Sequence, residues 1–218
     1  MKYRVAIFDM DGTILDTLED LAISINYALG ELGFPPRRRA EVRAFLGNGA
    51  LKLIKRSAPE GLAEERLEEL YKTFAAHYKE HCADHTAPYE GILPLLEELK
   101  DRGFALAVVS NKDDAAVKAL CEQYFPGIFS CSVGRRDGVR EKPAPDTVEQ
   151  VLSDLGLKST EAVYIGDSDV DVATAENAGM DGIAVTWGFR DEAFLRAHGA
   201  TALARDVEAL RALLLEED

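Results

Sequence analysis

Cysteine is scarce in this chain, limited to Cys82, Cys121 and Cys131. An odd, scattered set supplies neither a disulfide framework nor a metal-type pair, which suits a reducing compartment. The cytoplasm is therefore the expected location. No apolar run approaches the roughly 20 residues of a membrane-spanning helix. No basic start followed by an apolar stretch marks a signal peptide. Positive charge is also in deficit, with 25 basic against 39 acidic residues and a formal net charge of −14. Such a field disfavours nonspecific binding to nucleic acid or to an anionic membrane. It does not exclude a small phosphorylated metabolite, because a local cation cluster overrides the global field. Internal repeats and low-complexity segments are absent.

Hydrophobic residues are plentiful, at 47% of 218. That supports one large domain, or a core domain carrying a smaller insertion. The run from Tyr3 to Phe8 reads as a buried parallel strand. Asp9 and Asp11 follow where that strand ends, with Gly12 and Thr13 behind them. In an open α/β sheet, ligands bind just outside the carboxyl ends of the strands. Two like charges so close resist burial unless a cation or a proton intervenes. A hard divalent ion such as Mg²⁺, which prefers oxygen ligands, is the expected remedy.

Helical spacing from Leu18 to Leu32 predicts the first helix, with Asp16 or Thr17 as its cap. Residues 40 to 86 read as helical throughout. Short helices are expected at 41–45 and 50–57, hinged at Gly47-Asn48-Gly49, with a long amphipathic one over 62–82. Arg37 to Arg39 read as a solvated basic turn. Beyond Pro88 the character changes, and strands alternate with helices. Strands are expected at 104–110, 129–133, 162–165 and 182–187, with a short run at 201–203. This alternation predicts a doubly wound parallel sheet with right-handed crossovers. The expected division is a core of residues 1–15 and 88–218 with an all-helical unit, 16–87, inserted after the first strand.

Polar groups stand at three of the predicted strand ends. They are Asp9 and Asp11, then Ser110 and Asn111, then Asp167 with Asp169 and Asp171 beyond it. Lys142 precedes Pro143, which restricts the lysine's own backbone. Carboxylates, a hydroxyl with amide donors, and an ammonium are the parts of a phosphoryl-transfer site.

In order and spacing, Asp9-Met10-Asp11-Gly12-Thr13, Ser110-Asn111, Lys142-Pro143 and Gly166-Asp167-Ser168-Asp169-Val170-Asp171 resemble the motifs of the haloacid dehalogenase superfamily. The match is closest to its phosphoglycolate-phosphatase-like branch. The resemblance implies a Rossmann-like core with a helical cap, and a Mg²⁺-dependent phosphatase acting through an aspartyl-phosphate. It implies Asp9 as nucleophile, Asp11 as acid and base, and Lys142 as the cation on phosphate and Asp9. It assigns Ser110, the Asn111 backbone and Thr13 to the phosphate. The metal would fall to Asp9, Asp11 through its backbone carbonyl, Asp167 and Asp171, with Asp171 alternatively orienting Lys142. Asp169 would be a helix N-terminal residue.

Within this superfamily an acid at position 11 argues for phosphate chemistry over dehalogenation. A sugar-phosphate mutase keeps both aspartates and is the same-fold alternative, although Gly166 before Asp167 favours a phosphatase. Pyrophosphate or nucleotide hydrolysis, and a non-catalytic binding role, are further alternatives. The cap would set the substrate, with 2-phosphoglycolate the leading expectation. Asn48 in its glycine hinge is the expected leaving-group contact, and Arg43 and Lys52 flank it. His77, His81 and His85 recur every four residues beside Cys82, but no carboxylate completes an evident metal set. Trp187 closes an apolar strand and reads as core or site rim. The oligomeric state is left as monomer or homodimer.

Overall fold

The computed structural model describes residues 2–47 and 49–216. The chain forms two compact units, one of Met1–Leu15 with Pro88–Asp218 and the other of Asp16–Ala87.

Strand β1 (Val5–Phe8) opens the first unit, and β2 (Leu15–Asp16) leads into the second. That second unit holds α1 (Leu18–Glu31), α2 (Arg39–Phe45), α3 (Ala50–Ser57) and α4 (Glu64–His81). Strand β3 (Ala87–Pro88) returns the chain and pairs with β2. The rest of the first unit runs through α5 (Ile92–Asp101), β4 (Ala105–Asp113), α6 (Asp114–Tyr124), β5 (Cys131–Arg135) and α7 (Asp146–Leu155). It continues through β6 (Ala162–Gly166), α8 (Asp169–Asn177), β7 (Asp181–Val185), α9 (Glu192–Ala197), β8 (Ala202–Ala204) and α10 (Val207–Leu215).

Among the described residues the main sheet has six strands in the order β5-β4-β1-β6-β7-β8. Every neighbouring pair is parallel. This is the doubly wound core expected from the alternation of strands and helices. All four residues of β1 are fully buried, as a central parallel strand covered on both faces requires. On one face Val5 and Ile7 join Ala107, Val109, Ala162 and Tyr164, covered by Val148, Val151 and Leu152 of α7. The strand order reverses at β1, between β4 and β6. The crevice at the carboxyl ends of these strands is where such sheets bind ligands.

The helical unit packs on an apolar stripe of α1 that includes Leu21, Ile25, Ala28 and Leu29. Phe74 and Tyr78 of α4 stack with ring centres 5.4 Å apart. Buried Asp20 accepts from the His85 and Thr86 amides and pairs with the His85 ring at 2.8 Å. Arg37 is not simply solvated. Its guanidinium donates to the carbonyls of Ser57 and Ala58, and Asn26 brackets its backbone. At the start of α1, Asp16 takes the Leu18 amide at 3.2 Å, while Thr17 makes no capping bond.

Several boundaries differ from the sequence expectation by a few residues, and three of them move a residue singled out above. Strand β4 runs to Asp113 through a register shift after Val109, so Ser110 and Asn111 lie within the strand. Strand β7 ends at Val185, which leaves Trp187 in the following loop. Helix α4 ends at His81, so His85 is not on the face shared by His77 and His81. The three rings instead reach Ser24, Asp84 and Asp20 respectively. Among the described residues no helix is long and apolar enough to cross a membrane.

Candidate active site

Asp9 is the first residue past β1, on the same pleat as Val5 and Ile7. Its Oδ1 accepts from the Met10 amide at 2.7 Å and lies 3.0 Å from Lys142 Nζ. Lys142 also donates to Asp171 Oδ1 at 2.8 Å and to the Tyr164 hydroxyl at 2.9 Å. The Tyr164 hydroxyl passes its own proton to the Val109 carbonyl at 2.9 Å. Only 4% of the Lys142 side chain is exposed, so this ammonium is held by two carboxylates inside the protein. Burial alone would pull its proton off, but Asp171 and then Asp9 outweigh that and push its pKa well up.

Asp167 is the first residue past β6 and is fully buried. Carboxylate oxygens of Asp9, Asp167 and Asp171 lie within 4.8 Å of one another. Burial pushes Asp9 up to about 6, with Lys142 pulling back and Asp171 and Asp11 adding to the rise. Burial, then Asp171 and Asp9, push Asp167 well above the usual carboxylate range. Three carboxylates share one ammonium, so the pocket is short of positive charge. A hard divalent cation fits that deficit and that all-oxygen donor set.

Asp171 sits at the third position of α8 and accepts from both the Ser168 amide and hydroxyl, at 3.1 and 2.6 Å. Its carboxylate therefore caps the helix and holds Lys142 at once. A side chain at position 166 would run into Asp171, so Gly166 serves close approach rather than an unusual backbone angle. Asp169 begins α8, where the helix dipole favours an acid.

Thr13 is fully buried, and its hydroxyl finds no hydrogen-bond partner. A buried orphan hydroxyl is costly unless a ligand oxygen completes it. Ser110 is buried as well. Asn111 does something different with its side chain. It brackets the Lys142 backbone, donating to the carbonyl at 3.0 Å and accepting from the amide at 2.9 Å. Asp11 contributes no carboxylate to the cluster of three; its carboxylate turns to Lys112, with Nζ 2.9 and 3.2 Å from its two oxygens. In the helical unit, Arg43 and Lys52 are exposed on α2 and α3. Asn48 lies outside the described residues.

Two contributors were missed from the sequence. One is Lys112. The other is the Phe189 amide in the loop after β7, which donates to Asp167 Oδ2 at 2.6 Å; in the same loop Trp187, expected at the core or site rim, donates from Nε1 to the Thr13 carbonyl at 3.1 Å. A Cβ at Gly188 would strike both the Asp167 carboxylate and the Gly12 carbonyl. Gly12 itself has φ +83° and packs against the other side of the same carboxylate.

An aspartate cluster with a buried lysine at the carboxyl ends of central parallel strands has the parts of a phosphoryl-transfer site on a doubly wound α/β core. The family described as haloacid dehalogenase-like hydrolase matches residues 6–185, and the chain belongs to it. The phosphoglycolate phosphatase of Aquifex aeolicus is 34% identical over 187 residues, spanning 85% of this chain and 86% of its own. That of Mannheimia succiniciproducens is 31% identical over 196 residues, spanning 86% and 88%. A solved structure of a protein from Lactobacillus delbrueckii subsp. bulgaricus matches with a TM-score of 0.95. It is 38% identical, and the match covers 100% of both chains.

Proposed function

We propose that this hydrolase cleaves a small phosphomonoester, with 2-phosphoglycolate as substrate, through an aspartyl-phosphate on Asp9. The observation that carries the reading is the buried ion triad of Asp9, Lys142 and Asp171 with Asp167 beside it. The substrate comes from the likeness to relatives named phosphoglycolate phosphatases.

Asp9 attacks phosphorus as the ester P–O bond breaks, and Asp11 gives its proton to the leaving oxygen. Water then attacks the aspartyl-phosphate, its proton passes to Asp11, and the Asp9–phosphorus bond breaks. Lys142 neutralises charge on Asp9 and on the phosphoryl oxygens, and its position is fixed by Asn111 and Asp171. Thr13 and Ser110 supply hydroxyls to those oxygens. Asp9 and Asp167, with the Asp11 backbone carbonyl, would hold Mg²⁺, and Asp171 would complete its surroundings. When bound, the ion would offset the negative charge of the phosphoryl group. The helical unit, Asp16–Ala87, is assigned as the cap that selects the leaving group, and the cytoplasm as the compartment.

Phosphate release from a panel of phosphomonoesters, with and without Mg²⁺, tests this. The panel spans phosphoglycolate, hexose phosphates, pyrophosphate and mononucleotides. Metal-dependent release that favours phosphoglycolate, and is lost in Asp9→Asn, is expected. Isomerisation of a hexose phosphate without release would replace the reading with a mutase.

A further inference from the structure

Strand β4 carries its pairing past the phosphate-binding candidates and delivers one more charged side chain. The register shift after Val109 lets the strand continue to Asp113. The continuation is pinned from two sides. Asn111 grips the Lys142 backbone, and the Gly134 amide on β5 donates to Asp114 at 2.9 Å. Position 134 must be small, because a Cβ there would press on the Lys112 carbonyl and the Asp114 backbone. Lys112 is thus set on a fixed strand, and its Nζ meets both carboxylate oxygens of Asp11, at 2.9 and 3.2 Å.

This is not an ordinary surface ion pair. Only 6% of the Lys112 side chain and 20% of the Asp11 side chain are exposed. A lysine so enclosed is held against its partner and gives that partner a fixed direction. Asp11 needs such a direction. It lies in the turn beyond β1, and its carboxyl would otherwise rotate about two torsions. Misplacing a reacting group by about 1 Å can cost on the order of a hundredfold in rate.

We infer that Lys112 is a positioning residue that aims the Asp11 carboxyl at the leaving oxygen of the substrate. The inference rests on the reading of Asp11 as the group that protonates that oxygen. Lys112 itself touches no reacting atom. It holds both oxygens of Asp11 after the proton has gone to the leaving alkoxide, so the same carboxylate stands ready to take the proton of the attacking water.

The test is the dependence of kcat/KM on the leaving group, because that constant reports the first transfer. An alkyl ester such as phosphoglycolate needs a proton on its leaving oxygen. An aryl ester such as p-nitrophenyl phosphate loses a stable phenolate without one. Lys112→Met should lower kcat/KM for the alkyl ester by about 10- to 100-fold and for the aryl ester by less than about threefold. Lys112→Arg, which keeps a charged fork within reach, should recover part of the alkyl activity. Equal losses on both esters, or no loss on either, would overturn the inference, since damage to the fold or to phosphate binding does not sense the leaving group. Should Lys112→Met fail to fold, Lys112→Gln is read by the same ratio. Asp11→Asn is the control. If it shows no preference between the esters, the reading of Asp11 falls, and the inference with it. If Asp11→Asn discriminates and the Lys112 variants do not, the inference alone falls.

Discussion

Removing Mg²⁺ should destabilise the protein, and the stabilisation that Mg²⁺ returns should depend on pH through Asp9. In the metal-free protein burial holds Asp9 at about 6, above its ordinary 3.8. A carboxyl raised in this way contributes stability that is fully present below pH 3.8 and is lost as pH rises through 6. A divalent cation pairs with the ionised form, so protons compete with it below pH 6. At pH 8 the competition from Asp9 is negligible. At pH 5 about ten of every eleven Asp9 carboxyls are protonated, which weakens binding about tenfold. At a Mg²⁺ concentration 100 times its pH 8 dissociation constant, stabilisation at pH 8 is about 2.7 kcal/mol. At about 2–4 °C per kcal/mol for a chain of this size, the thermal midpoint rises by about 5–11 °C at pH 8 and by about half that at pH 5. Thermal unfolding with and without Mg²⁺ at the two pH values measures this. No shift with Mg²⁺ at pH 8, or equal shifts at both pH values, would refute the reasoning.

Other perturbations follow from single contacts. Tyr164→Phe removes the proton that satisfies the Val109 carbonyl and one acceptor of Lys142; denaturant unfolding should show a loss of about 1–3 kcal/mol. Gly188→Ala pushes a methyl into the Asp167 carboxylate, so calorimetry should find Mg²⁺ binding at least about tenfold weaker, with circular dichroism unchanged. Asp20→Ala strips an acceptor from the His85 and Thr86 amides and should cost about 2–4 kcal/mol in chemical denaturation. Burial alone would raise Asp20, but the bonds from His85 and Thr86 outweigh it and hold its pKa low. Its contribution is therefore present above the ordinary value of 3.8 and lost as pH falls through the lower folded-state value, so the difference between Asp20→Ala and the parent should shrink in acid.

The sheet was legible because a parallel strand buried on both faces writes itself as an unbroken apolar run. Val5 to Phe8 and Ala162 to Ile165 are such runs, and the acids Asp9 and Asp167 stand out against them. Lys142 was legible through the proline behind it. What stayed hidden depends on approach in space. Lys112 is 101 positions from Asp11, and its direction depends on a register shift that leaves no local signature. Gly188 reads as one glycine among 17; only the folded chain reveals that Asp167 and Gly12 crowd it. The resemblance gives the Asn111 backbone to phosphate, and nothing in its sequence neighbourhood announces that its side-chain amide braces Lys142. Two-residue strands such as β2 and β3 are too short to carry any periodicity. The spacing of His85 continues the pattern of His77 and His81 and reads as helix, yet helix α4 ends at His81 and Asp20 takes the His85 ring.

The central claim is that Asp9 is phosphorylated during turnover. Acid-quenching the enzyme with phosphoglycolate and Mg²⁺ during turnover, followed by peptide mass spectrometry, tests it most directly. The peptide containing Asp9 should gain the mass of one phosphoryl group, and the gain should vanish in Asp9→Asn. Turnover with no modified Asp9 peptide, or phosphate release that persists in Asp9→Asn, would contradict the assignment of Asp9 as nucleophile.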